Sequence, residues 1–299
     1  MTQETAPLPH CDPALPPRDS VVTRFAPSPT GLLHLGHAYS ALFAESAARR
    51  AGGRFLLRIE DIDAGRSRPE FEAAIYRDLE WLGLEWETPV RRQSDHLDDH
   101  AAALAVLQDA GLLYPCFCTR KELAREAAVS ISAPHGPDGP LYPGTCRTLS
   151  EAARQERLAN GAPHALRLNM AQAMREISAD LTFHDNGVGH IVVQPDRCGD
   201  VVLARKDIHT SYHLAVTVDD ARQGVTLVTR GEDLLHATHI HRILQCLLGF
   251  PTPDYHHHPL LRGPDGQRLA KRDASLSLSA LREGGATAED IRRRVENQT

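Results

Sequence analysis

Two histidines three residues apart, His34 and His37, end the loop APSPTGLLHLGH just before a helical run that starts at Ala38. A loop that leaves a parallel strand and opens a helix brings free backbone N–H groups and positive potential to the carboxyl edge of a sheet, where phosphate binds. Two imidazoles there, with Gly36 allowing close backbone approach, have the chemistry to donate to the phosphates of a nucleotide attacked at its α-phosphorus. HLGH alone equally describes two surface or core histidines near a helix start. Three of the six cysteines, Cys116, Cys118 and Cys146, crowd one stretch. That clustering suits a metal better than a disulfide staple, with buried free thiols as the alternative. His256, His257 and His258 also invite a metal reading, but three consecutive side chains cannot all face one ion on ordinary backbone, and a surface turn before Pro259 is expected.

These groups need elements to hold them. VVTRF (21–25) reads as a short apolar strand and AYSALFAESAARRAGG as a helix ending at Gly52 and Gly53. RFLLRI (54–59) reads as a second buried strand, followed by helical stretches over 69–82 and 95–110. Strand, helix, strand, helix predicts a parallel α/β sheet. From about 112 the order breaks into Pro/Gly-rich loops, the cysteines, a helix near 150–159 and polar β-like pieces, as in an inserted subdomain. The α/β pattern resumes with GDVVLARKD, the helix SYHLAVTVDDARQG, the strand VTLVTR and the helix DLLHATHIHRILQCLLG, closing at Gly249. The expected domains are a disordered proline-rich tail (1–20), two halves of the catalytic sheet (21–111 and 198–258) around the insert (112–197), and a final basic segment (259–299).

The 299 residues, 41% hydrophobic, suffice for a sizeable core, and no run approaches a membrane span. The proline-rich start lacks a basic head and an apolar core, which argues against secretion. A formal net charge of −6 removes a whole-molecule cationic field, so any RNA contact must use local patches such as Arg91-Arg92, Arg262 with Arg268 to Arg272, or Arg292 to Arg294; the last is equally a solvated helix face. Six scattered cysteines do not make a disulfide framework, which suggests reducing cytoplasm; Cys11, Cys198 and Cys246 are expected to stay outside the metal cluster.

RFAPSPTGLLHLGHAYSAL (24–42) with RIEDID (58–63) closely resembles the catalytic domain of glutamyl-tRNA synthetases, class I enzymes with the HIGH signature. The resemblance resumes at YHLAVTVDD (212–220) and VTRGEDLL (228–235) and reaches GQRLAKRDAS (266–275), in the place of the KMSKS loop. The chain ends soon after Arg272, where a full synthetase continues into anticodon-binding domains, and this with the cysteine cluster resembles the glutamyl-queuosine tRNA(Asp) synthetase family.

The resemblance implies a Rossmann-like α/β catalytic domain with a zinc-bearing insert. It implies activation of L-glutamate by ATP with Mg2+, without tRNA, and transfer to queuosine of tRNA(Asp), by a monomer. It assigns His34, Gly36, His37 and Lys271 to ATP, and Arg24, Phe25, Ala26, Pro27, Ser28, Glu60, Tyr212 and Arg230 to glutamate. On this assignment Arg24 pairs with the γ-carboxylate and Glu60 meets the ammonium. From spacing alone, Glu60 with Asp61 and Asp63 is equally a solvated acidic turn, Arg230 beside Glu232 and Asp233 a surface ion pair, and Lys271 part of a basic surface turn. Arg268 keeps the signature's charge, whereas Ala270 loses its hydroxyl. The family's zinc pattern falls on Cys116, Cys118, Tyr142 and Cys146, with His135 able to replace Tyr142. Two other readings stay open: a minimal glutamyl-tRNA synthetase charging tRNA(Glu), and a non-catalytic paralogue.

Overall fold

The computed structural model describes residues 11, 20–119, 122, 135–136, 139–177, 180–261 and 277–296. The proline-rich tail apart from Cys11 and Ser20, and Arg262 to Ser275 with Arg268, Ala270 and Lys271, lie outside the described residues.

The first half is built as its pattern demands. Strands β1 (Val22–Phe25), β2 (Arg54–Ile59) and β3 (Glu87–Arg92) pair in parallel, joined by helices α1 (Leu35–Arg50) and α2 (Pro69–Trp81). Along β2 the side chains alternate: Phe55, Leu57 and Ile59 enter the core beneath α1 and α2, and Leu56 enters the core on the other face. Burial on both faces is what a sheet with helices on both sides requires. Pro69 opens α2, where its missing N–H costs nothing. Gly53 is fixed by space, since a Cβ there would fall 2.0 Å from the Val21 carbonyl oxygen.

The chain runs on through α3 (Leu97–Asp109) to β4 (Leu113–Cys116), the short pair β5 (His135–Gly136) and β6 (Gly139–Pro140), α4 (Glu151–Ala159), β7 (Ala165–Leu168) and α5 (Met170–Glu176). Ser150 caps α4 by accepting from the Ala153 N–H. Next come β8 (Thr182–Asp185), β9 (Gly189–Val192), β10 (Val202–Ala204), α6 (Tyr212–Arg222), β11 (Leu227–Gly231), α7 (Leu235–Leu248) and β12 (Asp254–His258). Gly249 closes α7 at φ 63°. Strands β11 and β12 are parallel, and β8 and β9 extend them. The Thr226 N–H donates to the Val22 carbonyl and its hydroxyl accepts from the Val22 N–H, so β11 abuts β1 and the order reads β3-β2-β1-β11-β12, the doubly wound Rossmann arrangement. Helices α3, α6 and α7 pack one face; α1, α2 and α9 (Ala288–Glu296), which follows α8 (Leu278–Glu283), pack the other. Each buried aliphatic of α7, such as Ile243 or Leu247, contributes about 1.5–3 kcal/mol.

Three expectations are corrected. The segment 112–197 is not an insert throughout: β8 and β9 belong to the main sheet, whereas β10, beyond the expected boundary, pairs antiparallel with β7 beside β4. The polar hairpin residues His184, Asp185 and His190 hid the first, and the apolar VLA the second. His256, His257 and His258 form no surface turn; they are the end of β12, with His257 9% and His258 2% exposed. A strand alternates its faces, so His256 and His258 meet Phe43 while His257 meets Asp185 on the other side. Finally, Cys11 and Cys246, outside the metal cluster as expected, are not both free thiols, for the structure pairs them as a disulfide. Their separation of 235 residues left spacing silent about it.

Candidate active site

Beyond β1 the chain turns to α1 on one face, and beyond β11 to α7 on the other. Ligands bind at such a switch point, in the crevice outside the strands' carboxyl ends. A cavity of about 730 Å³ opens there, and every described residue expected for ATP or glutamate lines it: Arg24, Phe25, Ala26, Pro27, Ser28, His34, Gly36, His37, Glu60, Tyr212 and Arg230.

His34 is the N-cap of α1. Its Nδ1 accepts from the Gly36 N–H at 3.1 Å, and His37 Nδ1 accepts from the His34 N–H at 3.2 Å, a capping box built from imidazoles. Because both Nδ1 atoms accept, the neutral rings carry their protons on Nε2. The ring centroids lie 3.8 Å apart at the helix N-terminus, so two donors and the helix dipole act together on the cavity. Leu261 lines the cavity, and Ser277 bridges to His34, so the segment bearing Lys271 leaves and re-enters the described structure beside this motif.

The floor is charged and buried. Arg24 donates to Asp220 through Nε at 2.9 Å and Nη2 at 3.3 Å, and its Nη1 reaches the Thr229 carbonyl at 3.2 Å. Its fork, expected for a ligand carboxylate, is therefore engaged by Asp220, and only Nη1 is uncommitted to that acid. Arg58, fully buried, donates to Asp220 at 2.8 Å and to Glu60 at 3.2 Å. Burial raises the Glu60 pKa against the opposing pull of Arg58 and Arg24; burial also opposes the Asp220 charge, but the two guanidiniums outweigh it and hold that carboxyl below its usual range. Asp61 instead accepts from the Ser94 N–H and hydroxyl, so it secures the strand end away from the ligand. Arg230 adds a third buried guanidinium to this floor. Arg230 donates from Nε to His257 at 3.3 Å, from Nη1 to His241 at 3.2 Å and to the Tyr212 hydroxyl at 3.5 Å, and from Nη2 to Thr238.

In the insert, Cys116, Cys118 and Cys146 present sulfurs within 4.8 Å of one another. The Tyr142 hydroxyl lies 3.5 Å from Cys116 Sγ and 3.7 Å from Cys118 Sγ, and it accepts from the Cys146 N–H at 2.8 Å. Cys118 and Cys146 Sγ are 3.5 Å apart. Three sulfurs and one oxygen at such mutual distances fit a tetrahedral ion with bonds of about 2.0–2.3 Å. The Arg167 guanidinium lies 3.9 Å over the Tyr142 ring. His135 falls in β5, and no side-chain position is described for it.

Residues 20–296 match the family model described as tRNA synthetases class I (E and Q), catalytic domain. A glutamyl-Q tRNA(Asp) synthetase of Rhodobacter capsulatus is 50% identical over 283 residues, spanning 92% of this chain and 99% of its own. One from Nocardia farcinica is 47% identical over 268 residues, covering 90% of this chain and 81% of its own. The chain belongs to the glutamyl-Q tRNA(Asp) synthetase family of class I synthetases. A solved glutamate tRNA ligase from Elizabethkingia meningosepticum superposes with a TM-score of 0.71 at 30% identity, covering 86% of this chain, which spans about half (53%) of that structure.

For a glutamyl-Q tRNA(Asp) synthetase family member, several residues of this site escaped the reading of motifs. Arg58 and Asp220 sit inside the RIEDID and YHLAVTVDD segments with no role expected of them, Thr238 and His241 lie outside the expected site, and His257 is expected in a surface turn. An arginine in an apolar strand and paired acids ending an apolar helix are the available signals, because charges buried there demand partners. Arg91 and Arg92, expected as a basic patch, are tied to Asp219 and Asp99, and to Asp61 and Glu72. Arg292 donates to the Leu82 carbonyl and Arg293 to Asp290. Among the described residues, no helix is long and apolar enough to cross a membrane.

Proposed function

We propose that this chain joins L-glutamate to ATP as glutamyl-adenylate, without tRNA, and transfers the glutamyl group to queuosine in tRNA(Asp), acting as a cytoplasmic monomer. The observation that carries the reading is one cavity lined by two imidazoles fixed at a helix N-terminus together with buried Arg24, Arg230 and Glu60. A bound glutamate brings an ammonium, a γ-carboxylate and the attacking α-carboxylate. Glu60 suits the ammonium, and Arg230, Tyr212 and Arg24 Nη1 suit the γ-carboxylate. Ser28 and the backbone of Phe25, Ala26 and Pro27 form the wall against which the amino acid is held.

The α-carboxylate oxygen attacks the α-phosphorus, the bond to pyrophosphate breaks, and charge builds on the phosphoryl oxygens. His34 and His37 donate to that charge at no reorganisation cost, since their own capping bonds hold the rings. Gly36 lets the phosphates approach the backbone: a Cβ there would meet the His34 ring at 3.0 Å. Lys271, from the KMSKS-like sequence, is assigned to the departing pyrophosphate, which ATP brings with its Mg2+. A queuosine diol oxygen then attacks the adenylate carbonyl and AMP leaves. A zinc ion, when bound by Cys116, Cys118, Tyr142 and Cys146, cross-links the insert and does no chemistry on the substrates. In domain terms, 24–66 and 212–261 supply the catalytic cavity, and the sheet of β4, β7 and β10 with its cysteine cluster an RNA-facing surface.

Labelled glutamate offered with ATP to purified tRNA(Asp), with and without queuosine, and to tRNA(Glu) tests the reading. Labelling of queuosine-containing tRNA(Asp) alone, abolished by prior periodate cleavage of the diol, is expected. Labelling of tRNA(Glu) instead would make the chain a minimal charging enzyme, and no glutamate-dependent ATP–pyrophosphate exchange would make it a non-catalytic paralogue.

A further inference from the structure

Behind Arg230, on the side away from the cavity, runs an unbroken chain of buried polar groups. His257 Nδ1 lies 2.6 Å from Asp185 Oδ2, its Nε2 faces Arg230 Nε at 3.3 Å and the Thr238 hydroxyl at 2.9 Å, and Thr238 meets Arg230 Nη2. On the other flank Arg230 Nη1 meets His241 Nδ1 at 3.2 Å, and His241 Nε2 meets His213 Nδ1 at 3.2 Å.

A guanidinium only donates. It therefore requires a lone pair on His257 Nε2, which puts the proton on Nδ1, where the Asp185 carboxylate accepts it. By the same rule His241 must accept at Nδ1 and donate from Nε2 to His213. Asp185 is itself held, accepting at Oδ1 from the Gly187 and Val188 N–H groups and at Oδ2 from the His257 N–H. The parallel pairing of β8 with β12 at Asp185 and Tyr255 brings the acid to the histidine. Asp185 is fully buried and His257 9% exposed, so water does not compete for these bonds.

We propose that Asp185 and His257 are positioning residues that, through one fixed imidazole tautomer, aim Arg230 at the carboxylate of glutamate and so set the enzyme's affinity for its amino acid. The proposal rests on the reading of Arg230 as a carboxylate ligand. Burial and Arg230 together outweigh Asp185 and hold the His257 pKa at about 4, and burial with Arg230 also holds His241 well below its usual value, so both rings are neutral acceptors at neutral pH.

The sharpest test is Asp185→Asn. Its amide oxygen is retained by the Gly187 and Val188 N–H groups, which turns the NH2 toward His257 at the cost of the bond from the His257 N–H, forces the other tautomer, and sets Nε2–H against Arg230 Nε–H. Glutamate-dependent ATP–pyrophosphate exchange is expected to show the KM for glutamate raised about tenfold or more, with the KM for ATP unchanged. Histidine-selective 15N NMR, with His257→Phe identifying the signal, is expected to show Nδ1 protonated in the wild type and Nε2 protonated in the variant. His257→Phe should raise the KM for glutamate, and His257→Gln, whose carbonyl can accept from Arg230, should recover part of the loss; this pair decides the matter if Asp185→Asn does not fold. Arg230→Ala separates the two failures. If it leaves the glutamate KM unchanged, the carboxylate reading is wrong. If it raises that KM while folded Asp185→Asn, or His257→Phe, leaves it unchanged, the positioning role alone is overturned.

Discussion

At the residue scale, the site depends on charges that no local sequence pairs. Asp220 is shared by Arg24 and Arg58, which lie 196 and 162 residues away along the chain. Asp220→Ala would leave two buried guanidiniums facing each other with Glu60 as their remaining acid, and removing one member of such a set costs about 3–5 kcal/mol. The urea midpoint should fall accordingly, and an unchanged midpoint would mean that water reaches the arginines. Lys271 acts on a different quantity. Lys271→Ala should slow ATP–pyrophosphate exchange by about 10²-fold or more with the circular dichroism spectrum unchanged, and near-normal exchange would remove it from the phosphate role. Arg24, Glu60 and Arg230 could be picked out in advance because each sits in a distinctive motif. Arg58, Asp220 and His257 could not, because their partners are set by the meeting of distant strands and helices.

At the element scale, legibility followed periodicity. The strand at 54–59 and the helix from Pro69 were readable because a short apolar run and a first-turn proline mark them. The end of β12 was misread because HHH is polar, although each of its rings has a partner inside the fold: Phe43, Asp185 and Ser40. The insert depends least on periodicity and most on its thiols. Its cluster around Cys116 and Cys146 is small and leans on Tyr114, whose hydroxyl donates to Asp200 at 2.6 Å. Metal analysis of untagged protein should give about one zinc per chain. Chelation should expose 112–177 to protease while leaving exchange activity, since the cavity is built on other elements. Protein without zinc, or cleavage unaffected by chelation, would remove the metal from the account without touching the adenylation chemistry.

At the scale of the whole molecule, the same buried rings that serve the site make the fold sensitive to acid. Burial, reinforced by nearby cations, depresses His213, His239 and His257 from 6.5 to about 4. The folded state then holds fewer protons than the unfolded chain between those values, so unfolding takes protons up and stability falls as pH drops from about 6.5 toward 4. Below pH 4 the carboxylates extend the loss: despite burial, His100 and Arg58 hold Asp219 at about 2, and its contribution disappears as pH falls through the range from 3.8 to 2. Glu60 and Asp78, raised by burial, work the other way, because protonating them favours the folded form. Two opposing acids do not offset these histidines, which His241 and His258, also lowered by burial, bring to five. Urea unfolding between pH 7 and 5 should therefore show stability falling with a slope of up to five protons, about 1.4 kcal/mol per pH unit for each. His239 packs against Phe183 away from the cavity, so His239→Gln should remove close to one proton from that slope without altering glutamate affinity. A flat profile would mean that the histidines titrate in the folded protein, and the fixed tautomers behind Arg230 would then hold only above the pH at which they do.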